Sequence, residues 1–291
     1  MFANEQCLLC LIDRMIKKSA DIPDEKRRIE YVTKALRIAA DYAGAEPAPC
    51  ISHRFDELAP EYFGTGDLFS GVKEKYNRLL LDMSDDIRRR IDASSDPLRT
   101  AVLLARAGNY IDFGAHNEVN DETLWKTLER AENEQLDDSL FSLLRKSLAY
   151  TNRLVYLADN CGEIVLDKLL IERIKKDFPQ IRVKVLVKGI PTLNDATAED
   201  ALAIGLDSVA EVVSTGSGIP GTWRPDINAE ARAALDDADV IISKGQANYE
   251  TMSGCGLNVY YLLLCKCERF EQRFSVPRYT GLFVHERMKF D

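Results

Sequence analysis

Apolar residues along this chain follow two different rhythms. Up to about residue 150 they recur at three- and four-residue spacing. Cys10 to Ile16, Arg27 to Ala43, Phe69 to Ile91 and Leu136 to Leu148 therefore read as helices, with Pro23, Pro47, Pro60 and Pro97 marking boundaries. Beyond residue 150 short apolar runs alternate with helical stretches. Leu154 to Ala158, Val183 to Val187, Val212-Val213, Val240 to Ile242 and Val259 to Leu264 read as strands of βα units feeding a parallel sheet. The pattern predicts an α/β chain: an N-terminal helical lobe over residues 1–150, packed on a Rossmann-like, doubly wound, mainly parallel sheet over residues 151–291. No internal repeat or low-complexity linker separates the two lobes.

Composition narrows the class. At 291 residues, 46% hydrophobic and 29% charged, the chain has ample material for one large domain, or for a core with a second lobe. A formal net charge of -9 argues against a polyanion-binding surface, so nucleic acid is not an expected partner. The first twenty residues lack the basic start and apolar middle of an export signal, and no run approaches the roughly 18 apolar residues of a spanning helix. A soluble, cytoplasmic protein is expected, and seven cysteines, an odd number, fit a reducing compartment.

The chemistry sits where the apolar runs end. The first run ends in Asp159-Asn160, the second leads through Gly189 to Asp195, the third into Ser214 to Gly218, and the fourth into Ser243 to Asn248. Ligand sites of open α/β sheets lie beyond the carboxyl ends of the strands, so four loops are expected to line one crevice. One following helix begins at Gly162-Glu163; the next is capped by Thr197, with Asp200 completing a capping box. Asp159, Asn160 and Asp195 offer oxygen ligands suited to a hard divalent cation such as Mg²⁺ or Mn²⁺. Lys244 adds a point positive charge beside Gly245, where backbone amides can approach an anion. A metal with a lysine points to metal-assisted phosphoryl transfer to water. Against this stands the plainer reading of each strand-end Asp or Asn as a turn or cap residue. The segment "STGSG" is neither a P-loop nor a dinucleotide fingerprint, and reads equally as a flexible turn.

The segments "RAGNYIDFGA", "LADNCGEIVLDKLLIE", "LNDATAEDA" and "ISKGQANYETM", with "CLLC" near the N-terminus, together resemble the DUF89 family. These are the metal-dependent damage-control phosphatases akin to acidic residue methyltransferase 1, and the cysteines match the stand-alone prokaryotic CxxC-type subfamily. The resemblance implies a divalent metal (Mn²⁺, Co²⁺, Ni²⁺ or Mg²⁺) held by Asp159, Asn160 and Asp195, and a phosphate site that includes Lys244. It also implies a cleft toward which Asn109 and Asp112 point, and a substrate among sugar phosphates or damaged phosphometabolites. Glu163 reads either as a base or as a first-turn helix residue. Direct attack by water is favoured over an aspartyl-phosphate, because Asp159 is followed by Asn-Cys-Gly and not by D-x-D-x-T. Cys161 and Ala247 stand where alanine and glycine are common in the family.

Two alternatives remain at this stage. One is an S-adenosylmethionine-dependent carboxyl methyltransferase, disfavoured because the first strand tip lacks a glycine-rich loop. The other is a non-enzymatic metal- or redox-sensing module. Cys7 and Cys10 suit packing, redox chemistry or a metal, and Cys50 with His53 is the nearby Cys/His pair. Cys265 and Cys267 read as structural. His53, His116 and His285 are scattered, so no catalytic histidine is assigned. "DDIRRRID", residues 85–92, reads as a solvated helix face. Oligomeric state is left open.

Overall fold

The computed structural model describes residues 1–64, 69–110 and 121–288. Helices α1 (Glu5–Ser19), α2 (Glu25–Tyr42), α3 (Ala48–Leu58), α4 (Pro60–Phe63), α5 (Ser70–Ala93), α6 (Pro97–Ala107), α7 (Asp121–Glu132) and α8 (Asp138–Ala149) come first. Their starts follow local chemistry: Asn4, Asp24, Asp96 and Asp137 each accept a backbone N–H of the first turn. The remainder runs β1 (Arg153–Leu157), α9 (Glu163–Asp177), β2 (Arg182–Val187), α10 (Ala198–Ala203), β3 (Glu211–Ser214), α11 (Ala229–Asp236), β4 (Val240–Lys244), α12 (Gln246–Met252), β5 (Val259–Leu264), α13 (Glu268–Phe274) and β6 (Gly281–His285).

The strands form a single sheet in the order β3-β2-β1-β4-β5-β6. All neighbours are parallel except β6, which closes the edge antiparallel to β5. The fold is thus the anticipated α/β class with a mostly parallel sheet. Strand order reverses between β1 and β4, so the crevice above that seam is the position from which such sheets bind ligands. Strand β6, "GLFVH", is an addition to the strands read from the sequence.

Both faces of the sheet are covered, which is why β5 reads as an unbroken apolar run and why β4 and β5 are buried at every position. On one face lies α9, with Ile164, Val165, Leu166, Leu169, Leu170, Ile171 and Ile174 all buried between the sheet and helices α5 and α6. On the other face α11, α12 and α13 share a second core. The first 150 residues divide between these surroundings. Helices α5–α8 join the large core of α9 and the sheet, whereas α1–α3 enclose a small core of their own around Met15, Tyr31, Ile51 and Phe55 and pack beside α12 and α13. The charged run of α5 is only partly solvated: Arg88 pairs with Glu172 of α9, and Arg90 with Glu132 of α7. Among the described residues no helix is long and apolar enough to cross a membrane.

Candidate active site

The tip of β1 is built by the loop that follows β2. That loop doubles back, so that Ala196 N donates to Asp159 O (2.8 Å), Cys161 N to Asn194 O (2.9 Å) and Lys188 N to Ala196 O (2.9 Å). Asn160 and Asp195 pair as an isolated antiparallel bridge, and Lys188 pairs with Thr197. The anticipated capping box is formed by Thr197 and Asp200 at the start of α10. Backbone hydrogen bonds thereby hold Asp159, Asn160 and Asp195 side by side, although the two aspartates are 36 positions apart.

The tip of β4 supplies the adjoining wall. Gly245 has φ +80°, and a Cβ there would lie 1.9 Å from Oδ2 of Asp159. Only glycine permits both the backbone conformation and the carboxylate's position. One turn on, Asn248 donates to the carbonyls of Ala158 (3.1 Å) and Lys244 (2.8 Å) and accepts from Thr222 Oγ1 (2.8 Å). It ties the ends of β1 and β4 together beneath the crevice.

A second tier lies below. Glu163 is fully buried; it accepts from Asn109 and Lys244, and from Asn160 Nδ2 at 3.2 Å. Asn160 Nδ2 also donates to Asp159 (2.8 Å). Lys244 is equally buried, and its ammonium donates to Ala105 O (2.7 Å), Glu163 and Asp167 (2.7 Å). An ammonium has three donors, and all three are engaged. A direct phosphate contact from Lys244 would require it to give up one of these partners. Burial lowers the ammonium's affinity for its proton, yet the Asp167 and Glu163 carboxylates hold its pKa above the ordinary lysine value. Asn109 reaches this tier from the 3-10 turn Gly108–Tyr110 after α6. Gly108 allows the approach, since a Cβ there would meet Glu163 Cγ at 2.5 Å. Asp112 lies outside the described residues.

Three contributors were not singled out in the sequence. Lys188, at the end of β2, is buried, donates to Gly221 O and stands 3.6 Å from Oδ2 of Asp195. Asp167 follows Glu163 by four positions on α9 and accepts from Tyr156 Oη (2.6 Å). Asn77 of α5 accepts from Gly162 N at 2.5 Å, fixing the turn that opens α9. A signal existed for the first two: a lysine closing an apolar strand before Gly-Ile-Pro, and a carboxylate at i+4 between the apolar runs Ile164–Leu166 and Leu169–Ile171 of α9.

These groups leave an excess of negative charge. Asp159, Glu163, Asp167 and Asp195 bring four carboxylates against the ammoniums of Lys188 and Lys244. The consequence is visible in their proton affinities. Burial, then Glu163 and Asp195, push the Asp159 carboxyl well above its usual range. Burial also raises Asp195, against the opposing pull of Lys188 and Lys73, and takes Asp167 to about 7. Among the described residues Oδ2 of Asp195 has no hydrogen-bond partner, its nearest cation being Lys188 at 3.6 Å. A divalent cation would offset this crowding of carboxylates, and two carboxylates with a carboxamide form a hard oxygen-donor set of the right chemistry. Among the described residues no three His, Cys, Asp or Glu side chains form a metal cage by themselves, there or around Cys7, Cys10, Cys50 and His53.

The remaining candidates lie elsewhere or serve packing. "STGSG" is a packed turn: Thr215 and Ser217 are buried, Ser217 Oγ donates to Asp226 (2.5 Å), and Gly189 and Gly216 touch backbone to backbone. The His53 ring lies against Gly218. His285 bonds Asn258 at the opposite end of the sheet, and His116 lies outside the described residues. Cys7 accepts from Arg269 (3.1 Å), and Cys265 and Cys267 pack on the core beneath α13.

Residues 3–281 match the family described as the damage-control phosphatase ARMT1-like domain. The chain is 32% identical over 285 residues to an uncharacterised protein of Methanocaldococcus jannaschii, covering 93% of this chain and 91% of that one. It is 31% identical over 267 residues to a damage-control phosphatase of Archaeoglobus fulgidus (90% and 91% covered). A damage-control phosphatase of Pyrococcus horikoshii is 32% identical over 299 residues (100% and 99% covered). The crystal structure of a DUF89 family protein from Pyrococcus horikoshii superposes with a TM-score of 0.84 at 28% identity, covering 99% of this chain and all of that one.

Proposed function

We infer the reaction from one premise: the chain belongs to the damage-control phosphatase ARMT1-like domain family. It is a phosphatase, and the methyltransferase and sensor readings are not favoured. We propose that it hydrolyses phosphate monoesters of small metabolites, by direct attack of water, in the crevice above β1 and β4. Asp159, Asn160 and Asp195 would hold a divalent metal; Mn²⁺, Co²⁺, Ni²⁺ and Mg²⁺ all suit oxygen donors. When bound, the cation neutralises phosphate oxygen charge and activates water.

The chain's own residues divide the remaining work. Glu163 orients Asn160 from below, and Lys244 with Asn109 holds Glu163 in turn. Lys244 is thus a positioning residue. Lys188 carries the positive charge that faces Asp195, which makes it the better candidate for the cation at the phosphate. Asp195 orients water through Oδ2, which has no hydrogen-bond partner among the described residues. Gly245 makes the room that the Asp159 carboxylate occupies.

The observation that carries this reading is the juxtaposition of Asp159 and Asp195 on two strand tips, zipped by backbone pairing. The test is phosphate release from p-nitrophenyl phosphate and a panel of sugar phosphates, using metal-stripped protein to which each of the four metals is returned. Turnover restored by metal and abolished by Asp159→Ala is expected. Equal turnover in the stripped protein, or full activity of Asp159→Ala, would defeat the assignment.

A further inference from the structure

Helices α1 and α2 form an antiparallel hairpin: residues 20–24 join them, and Ala3 N donates across the open end to Glu46 O (2.9 Å). One side of the hairpin is spent on the fold. Arg14 of α1 donates to Ser52 Oγ of α3 (2.8 Å), and Lys34 of α2 pairs with Glu61 of α4 (2.6 Å). Because α3 runs directly into α4, these two bonds fix which way each helix is turned.

The opposite side is apolar and open. At 3.6 residues per turn, Leu9 and Ile16 lie about 140–160° around α1 from Arg14, and Ile29 and Leu36 lie equally far around α2 from Lys34. These four side chains are 74%, 51%, 62% and 48% exposed. The members of each pair stand seven residues apart, so each helix carries one apolar seam. Antiparallel pairing sets Ile16 beside Ile29 and Leu9 beside Leu36, with the half-buried Ile12 and Val32 flooring the gap between the seams. A continuous apolar face on an otherwise charged hairpin marks a surface that meets another molecule.

Charge names the occupant. Beside its seam α1 carries the exposed Glu5 and Asp13, and beside its own α2 carries the exposed Lys26 and Arg37. Lys17 pairs with Asp13 from the side away from the face (2.7 Å). One flank is thus acidic and the other basic, the pattern by which residues next to a seam choose partner and orientation. A second copy turned about a two-fold axis parallel to the helices lays α1 of each hairpin on α2 of the other, and brings Arg37 to Glu5 and Asp13 of the facing copy. A two-fold axis across the helices would set α1 on α1 and oppose like charges. The face is complementary to itself, as an isologous contact requires. We propose that the chain dimerises through this face, two α1–α2 hairpins closing into an antiparallel four-helix bundle. The inference goes beyond the phosphatase reading and does not depend on it.

Sedimentation equilibrium of the full chain across the micromolar range tests it, and a monomer–dimer equilibrium is expected. Leu9→Glu changes a side chain that is 74% exposed in the single chain, so circular dichroism should stay as in the wild type. The dimer Kd should nevertheless rise about 30-fold or more, the effect of losing a central contact. Arg37→Glu should also weaken the dimer, and adding Asp13→Arg to it should recover part of the loss, a rescue specific to α1 lying on α2 of the other copy. A monomer throughout the range, a dimer indifferent to Leu9→Glu, or no rescue by Asp13→Arg would overturn the proposal. So would a wild-type monomer that binds phosphatidylglycerol vesicles and loses them in Leu9→Glu, since the face would then belong to a lipid surface.

Discussion

The Cα of Gly245 lies so close to Asp159 that a single added methyl would fall 1.9 Å from the carboxylate oxygen Oδ2. Two strand tips therefore share one corner of the crevice, and the smallest possible substitution tests whether that corner is the site. Gly245→Ala must displace Asp159 and also hold an alanine at φ +80°. We expect a stability loss of about 1–3 kcal/mol. Catalysis should fall much further, by about 100-fold, since small misplacements at a reacting centre have effects of that order. Near-normal kcat in a folded Gly245→Ala protein would mean that Asp159 acts no part in the chemistry.

Charge crowding gives a readout independent of turnover. In the metal-free protein burial, Glu163 and Asp195 raise the carboxyl of Asp159, and burial with Glu163 raises that of Asp195. Asp159→Asn removes one of the repelling charges. The metal-free variant should therefore melt at or above the wild-type temperature. Added Mn²⁺ should raise the wild-type Tm by several degrees, because a ligand at about 100 times its Kd contributes about 2.7 kcal/mol. It should leave Asp159→Asn nearly unmoved. A variant that melts lower without metal, or responds to Mn²⁺ as the wild type does, would count against this donor set.

Lys244 separates two roles that look alike in sequence. If its work is to compensate Glu163 and Asp167, Lys244→Met strands two buried carboxylates, and urea unfolding should show a loss of about 3–5 kcal/mol. If it contacts phosphate, KM should rise with stability intact. The geometry favours the first outcome. Lys188→Met should give the complementary result, weakening phosphate release more than folding, since its ammonium faces Asp195 at 3.6 Å.

That contrast shows what could and could not be read from the sequence. Asp159, Asn160 and Asp195 stood out because each follows an apolar run, and strand ends are where α/β sheets place their ligands. The sheet and α9 were legible for a related reason, as burial on both faces writes itself as unbroken Leu, Ile and Val. Burial of a charged residue leaves no such mark. Lys244 and Lys188 both end strands, and nothing local tells which ammonium is held by α6 and α9 and which stands beside Asp195. Residue 77 lies 85 positions from Gly162, so the Asn77 bond that fixes the α9 turn depends on how α5 packs. The division of α1–α3 from α5–α8 was hidden likewise, because all these helices carry similar amphipathic stripes. Strand β6 is five residues long and joins the sheet by antiparallel pairing with β5, a partnership its short apolar run does not announce.

Glu250, on α12 just beyond the site, provides a pH signature. Burial raises its carboxyl from 4.5 to about 7, with Gln246, Arg269 and the N-terminus only partly opposing the shift. A carboxylate whose folded pKa exceeds its unfolded value binds more protons in the folded state between the two values, so it contributes stability at low pH that is lost as pH rises. The window here runs from about 4.5 to about 7. Across it the protein should lose about 2–3 kcal/mol, each pKa unit being worth about 1.4 kcal/mol. Glu250→Gln keeps the bond with Gln246 Nε2 (3.3 Å) and removes the titration. Urea unfolding at pH 5 and pH 8 should then show a steeper fall in the wild type than in the variant, with the variant the more stable of the two at pH 8. Parallel pH profiles would place the titration of Glu250 elsewhere, and the slope would belong to the carboxylates of the site itself.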